Sequence, residues 1–283
     1  MADEEHVERL VPNFGYQHIL MLFIAISIIL LSLLLAGCSS SSPLIPGIFL
    51  ISLYYQKYTP VASTAQVDFN AHNAIAVVVG DAVLQCRIGY FGICISPDGG
   101  SWLCSNNATA LANEISMSQD PLNLIWLASQ FKDMIVFPYL MFVSTTFNLK
   151  KDGTNLISHF ISIIAIIFAF FGILLLATFP SDYGANEETD EDEIPFPSKS
   201  VSQVVICIVF IACVFVLVSV LWQHTASVAA SIIAQDFGNG SVRSGVGTTA
   251  MVLGWFGFSI LVLATLGLLI LLLAVDTFTE VYT

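Results

Sequence analysis

The sequence predicts an all-α transmembrane four-helix bundle that carries a small extracellular antiparallel β-sheet. Three observations predict it. The 283-residue chain is 56% hydrophobic and only 10% charged, where soluble domains carry about a quarter of charged residues. Four apolar runs, at 16–38, 157–179, 201–222 and 249–275, are each long enough to cross a hydrocarbon core of ~30 Å. Between the first two runs lies a long segment with strand-like patterning and a glycine-rich hairpin flanked by Cys94 and Cys104.

Charge narrows the function classes. The net charge is −13, with only eight Lys plus Arg. Nucleic-acid phosphates require basic patches, and anionic lipid surfaces recruit polybasic segments; neither fits. An excess of carboxylates suits an encounter with cations, although acidic loops ordinarily just stay solvated.

In chain order, residues 1–15 form a short acidic tail, expected to be cytosolic, and 16–38 the first span. Its end, Leu35-Ala36-Gly37-Cys38-Ser39-Ser40, looks like a lipoprotein cleavage box. The acidic segment before it, with Asp3, Glu4, Glu5 and Glu8 against Arg9, lacks the basic start that such a signal needs. Cys38 is then an acylated or interfacial residue. Residues 39–156 read as a large extracellular loop. Within it, Ala74–Val79 and Ala82–Ile88 are strand candidates separated by the turn Gly80-Asp81. The segment Gly89-Tyr90-Phe91-Gly92-Ile93-Cys94 runs into Ser96-Pro97-Asp98-Gly99-Gly100-Ser101, which is turn chemistry. Ile93–Ile95 and Trp102–Cys104 can therefore run antiparallel, giving a sheet of about four strands. Cys94 and Cys104 come within reach of each other, as a bonded pair or as two buried thiols. Asn107-Ala108-Thr109 is an N-glycosylation sequon if the loop is extracytoplasmic.

From Asp120-Pro121 an amphipathic helix is expected, carrying Leu122, Ile125, Trp126, Ser129 and Met134. The apolar stretch 134–147 contains Pro138 and is short for a span; it lies in the interface, re-enters, or belongs to a tilted membrane segment. The span 157–179 leads to an acidic loop, 180–200, with Glu187, Glu188, Asp190, Glu191, Asp192 and Glu193, which lacks the glycine and spacing of an EF-hand. After the third span, 201–222, residues 223–248 form a second extracellular loop with the sequon Asn239-Gly240-Ser241. The fourth span, 249–275, ends in a short cytosolic tail, 276–283. Counting 134–147 as a fifth span would put Lys150 and Lys151 inside, as positive-inside bias prefers. Segment length and Pro138 favour four.

The hairpin carries a family resemblance. Gly89-Tyr90-Phe91-Gly92-Ile93-Cys94-Ile95-Ser96-Pro97-Asp98-Gly99, followed by Cys104, resembles the claudin-like superfamily, and in particular its fungal mating-induced branch, the calcium-regulator and membrane-fusion family. The resemblance implies that Gly89, Gly92, Cys94 and Cys104 are motif positions and that Cys94–Cys104 is a disulfide between adjacent strands. Claudins proper place a Trp upstream of the glycine pair; no residue from Cys38 to Ile88 is Trp. That departure argues against junction-type strand assembly. The family implies a multi-pass plasma-membrane protein at cell contacts during mating, with roles in low-affinity calcium influx and membrane fusion.

Three classes of function follow. A structural or regulatory module would use the stapled sheet to organise partners, whether a second copy or a channel, within membrane lipid. A cation-conducting subunit would use Asp68, Asp81, Asp98, Asp120 and Asp133 to concentrate calcium, but the clear spans hold no ionisable residue in their interiors, where ion paths usually show one; His159 sits at an edge. Enzymatic chemistry is not expected. His6, His18, His72, His159 and His224 are scattered, and no triad, zinc spacing or phosphate loop stands out. Gly245-x-Gly247 reads as a helix entry, and Gly254 and Gly257 permit close helix approach. No cofactor is expected, calcium entering only as a transported or regulatory ion.

Overall fold

The computed structural model describes residues 16–56, 68–135, 171 and 199–282. The expectations for the N-terminal tail, for 134–147 beyond Ile135, for the span at 157–179 and for the acidic run before Lys199 lie outside the described residues.

Three helices among the described residues are long and apolar enough to cross a membrane. α1 covers Tyr16–Leu35, 20 residues or about 30 Å at ~1.5 Å per residue. α5 covers Lys199–Gly238 and α6 covers Thr248–Tyr282. The described chain divides into two compact units. One takes α1 to Ile29, α5 to Leu217 and α6 from Phe256; the other takes the chain from Leu30 through the sheet region, together with Val218–Trp255.

In the first unit the helices meet through small residues and hydroxyls. Ser27 Oγ donates to the Gly257 carbonyl at 2.9 Å, and Tyr16 Oη donates to the Gly267 carbonyl at 3.2 Å. Leu20 and Tyr16 occupy the space a Cβ on Gly267 would need. Without water, a free hydroxyl would be costly, so carbonyls at small residues become acceptors.

The second unit is built on a five-stranded antiparallel sheet, in the order β4-β3-β2-β1-β5. The strands are β1 Ile51–Tyr55, β2 Gln85–Ile88, β3 Ile93–Ser96, β4 Leu103–Ser105 and β5 Val242–Val246. The hairpin β3–β4 forms as expected, and β2 is the shorter core of the candidate at 82–88. Two strands went unread. β1 hides in a short apolar stretch. β5 comes from the second loop and pairs with β1 from Ile51↔Val246 to Tyr55↔Val242, so the two loops share one sheet.

Two further expectations are corrected. Ala74–Val79 is not a strand but the end of helix α2, Phe69–Val79. The Asp68 carboxylate caps it, accepting from Asn70 N at 2.8 Å and Ala71 N at 3.4 Å. Such a cap contributes about 1 kcal/mol, and Ala71, Ala74 and Ala76 add helix propensity against the β-branched run. Likewise, 223–248 is not a plain loop. α5 runs on to Gly238, because no Gly or Pro interrupts Gln223–Phe237, and its polar residues sit within helical turns.

α3, Ala108–Asn113, and α4, Leu124–Gln130, pack beside the sheet, and one π-turn, Phe131–Ile135, extends α4. The expected amphipathic helix therefore exists but begins three residues later than Pro121. Asp120 explains the start. Its carboxylate accepts from Leu124 N at 2.7 Å, Ile125 N at 3.1 Å and Tyr55 Oη at 2.7 Å, while 6% exposed.

Candidate functional site

The glycine–cysteine motif sits where β2 turns into β3. Gly89 N donates to the Gly92 carbonyl at 2.9 Å, closing the turn. Both glycines face the chain just after it leaves α1. A Cβ on Gly89 would run into the Gly37 carbonyl, and a Cβ on Gly92 into the Cys38 carbonyl. Gly37 in turn has no room against the Ile48 carbonyl. Cys38 takes a left-handed backbone with φ of +55°, which brings the chain around so that Cys38 N donates to the Ile45 carbonyl at 3.2 Å. Three stretches thus meet backbone to backbone: the exit of α1, the turn Ile45–Ile48, and the motif turn.

Cys94 and Cys104 stand directly opposite in the β3–β4 ladder and are disulfide-bonded. The staple holds the hairpin edge of the sheet. The pairing implied by the resemblance is therefore the pairing present. Cys38 and Cys86 are buried free thiols. Burial pushes the Cys38 thiol up to about 12, the Arg87 charge only partly opposing it. Burial also raises Cys86 well above the ordinary thiol value, helped by the Asp120 and Cys38 charges. Neither thiol is poised for chemistry near neutral pH.

Arg87, next to Cys86 on β2, is a residue that sequence reading missed. Its guanidinium lies 4.7 Å from the Phe49 ring centroid and 4.0 Å from that of Trp102. Its Nη1 donates to the Pro46 carbonyl at 3.0 Å. Partial burial lowers its pKa from the ordinary guanidinium value, and the two ring faces compensate the lost hydration. The signal was available: Arg87 is one of only eight basic residues, and Trp102 stands alone in the hairpin.

Three of the five carboxylates proposed to gather calcium have other roles. Asp68 caps α2, and Asp120 caps α4 while accepting from Tyr55. Burial, then the bond to Asp120, raises the Tyr55 phenol above its usual range. Asp133 lies 3.8 Å from Lys132 Nζ and accepts from Ser129 Oγ at 3.3 Å. Asp81 and Asp98 are exposed at turns. Among the described residues, no group of three or more His, Cys, Asp or Glu could hold a metal ion.

The two sequons differ. Asn107 is exposed; its Oδ1 caps α3, accepting from Thr109 N at 2.9 Å. Asn239, with φ of +41°, clasps Asp68: its Oδ1 accepts from Asp68 N at 3.2 Å and its Nδ2 donates to the Asp68 carbonyl at 2.9 Å. The Asn239 carbonyl meets His72 Nδ1 at 2.9 Å, and Ser241 is buried.

These features define a multi-pass membrane protein with a disulfide-stapled sheet fixed to the end of its first span. The chain belongs to the Fig1 family, described as Ca2+ regulator and membrane fusion protein, whose model matches residues 70–150 and 147–274. No curated protein matches the chain. The family match includes the motif turn, the staple, α5 and most of α6.

Proposed function

We propose that this chain is a four-span, claudin-like protein of the plasma membrane that regulates low-affinity calcium influx and membrane fusion at cell contacts during mating. The observation that carries the regulatory reading is the backbone junction of Gly89 and Gly92 with Gly37 and Cys38. A stapled sheet whose motif turn meets the exit of the first span backbone to backbone at Gly89 and Gly92 is fixed to that exit. A partner bound to the sheet would bias the span, and so the calcium pathway it sits beside.

Four spans are supported by segment length: the run 157–179 is long enough to cross a bilayer, whereas 134–147 is short and contains Pro138. The disulfide supports an extracytoplasmic sheet. Asn107 then carries a glycan, while the amide of Asn239 is held in its clasp; an unmodified Asn239 is thus compatible with four spans.

Regulation is favoured over conduction because Asp68 and Asp120 already serve as helix caps. The test is a pair of assays. In paired mating cells, Gly92→Val should abolish mating-dependent calcium uptake and fusion, while purified wild-type protein in liposomes should pass no calcium. Calcium flux through the purified protein, lost on Asp98→Asn, would replace regulation by conduction.

A further inference from the structure

The first aromatic of the motif turn reaches further than the glycines beside it. Tyr90 is 7% exposed, and its hydroxyl donates to Gln223 Oε1 at 3.0 Å. Gln223 is itself only 3% exposed, although it sits in the interior of α5. Its Nε2 donates to the Ala250 carbonyl of α6 at 3.1 Å and lies 3.8 Å from Met251 Sδ. The direction of this chain is forced. A backbone carbonyl can only accept, so the amide nitrogen must face Ala250 and the amide oxygen must take the Tyr90 proton. One buried amide therefore joins three segments: the motif turn, α5 and the first turn of α6.

The sequence makes room for that amide. Ala250 and Gly254 stand about one turn apart on α6 and form a small-x-x-x-small pair, which lets a neighbouring helix come close. Ala250 is completely buried. A Cβ on Gly254 would lie 3.3 Å from Val220 Cγ2 and 3.4 Å from Gln223 Oε1, so α5 and α6 are close-packed at the level of the amide. Beside it, the His224 and Trp255 rings meet edge to face with centroids 6.5 Å apart. Apolar packing is non-directional and sets no register by itself. A satisfied buried hydrogen-bond network does, because any shift strands its members.

We infer that Gln223 is a positioning residue that sets the crossing of α5 and α6 according to the place of the motif turn, with the Tyr90 hydroxyl as its input. Gly89 and Gly92 fix the turn to the exit of α1, and Tyr90 carries the same turn to the other two helices. The effect on calcium uptake rests on the regulatory reading above; the geometric role does not.

The test uses the full chain, purified in detergent with Cys207→Ser and Cys213→Ser. Spin labels are placed on Val228→Cys of α5 and Val252→Cys of α6, both positions being exposed, and pulsed resonance measures their separation. One narrow distance is expected with Tyr90 and Gln223 in place. Tyr90→Phe and Gln223→Met should each displace or broaden it, and combining them should add nothing further, because both break the same chain. Tyr55→Phe removes a buried hydroxyl bonded instead to Asp120 and should leave the distance unchanged. An unaltered distance in Tyr90→Phe, or an equal change in Tyr55→Phe, would overturn the inference. In paired mating cells, Tyr90→Phe at wild-type surface level should lower calcium uptake by about tenfold, the bias that one buried hydrogen bond can place on a two-state crossing. A displaced distance with full uptake would uphold the positioning role and remove the regulatory reading instead.

Discussion

The sixteen-residue motif contains two glycine-bearing turns that behave oppositely. At Gly89–Gly92 the backbone of another segment fills the place of each absent side chain. At Gly99–Gly100 nothing lies within 4 Å of either position. Gly99, with φ of +72°, supplies only a backbone conformation. The first turn is a joint and the second is a hairpin tip. Similar composition therefore marks two different jobs, and only the joint ties the sheet to a span.

Substitutions should separate the two. The largest effect is expected from Gly89→Val, which forces side-chain atoms into the Gly37 carbonyl. Overpacking of this kind costs about 3 kcal/mol or more when backbone opposes it, and surface biotinylation should find little folded protein. Next, Cys94→Ser or Cys104→Ser should cost about 2–3 kcal/mol, since the staple closes a loop across a sequence separation of 10. Thermal unfolding in detergent checks this, and a reducing agent should reproduce it in the wild type. Asp120→Ala should cost about 2 kcal/mol by stranding two helix-start N–H groups and the Tyr55 hydroxyl, with Tyr55→Phe costing less.

The smallest effect concerns pH. Cys86 and Cys38 have thiol pKa values raised by folding, so their contribution to stability is full below the ordinary thiol value of 9.0 and is lost as pH rises beyond it. At pH 8 both thiols should resist maleimide in the folded protein and react once it is denatured. Fast labelling of either in the folded state would show that the joint is open.

Much of this architecture was legible in the chain. Uncharged runs betray α1, α5 and α6, because lipid admits no other composition. Pro97-Asp98-Gly99-Gly100 betrays the hairpin, because the turn is local chemistry. What escaped was set by distant partners. β5 is a strand because β1 lies beside it, nearly two hundred residues away in sequence. α2 is a helix because one carboxylate, Asp68, caps it against a β-branched run. The glycines were legible as a motif, but their purpose depends on Gly37 and Cys38, which sequence presents as a cleavage box.

At the motif turn the neighbouring backbone leaves no space for even a single methyl group on Gly89 or Gly92. Purified Gly92→Ala and Gly100→Ala should be unfolded side by side with the wild type. The expected result is a clear fall in Tm for Gly92→Ala, several degrees for each ~1 kcal/mol lost, and no measurable change for Gly100→Ala. Equal melting of all three proteins would contradict the joint.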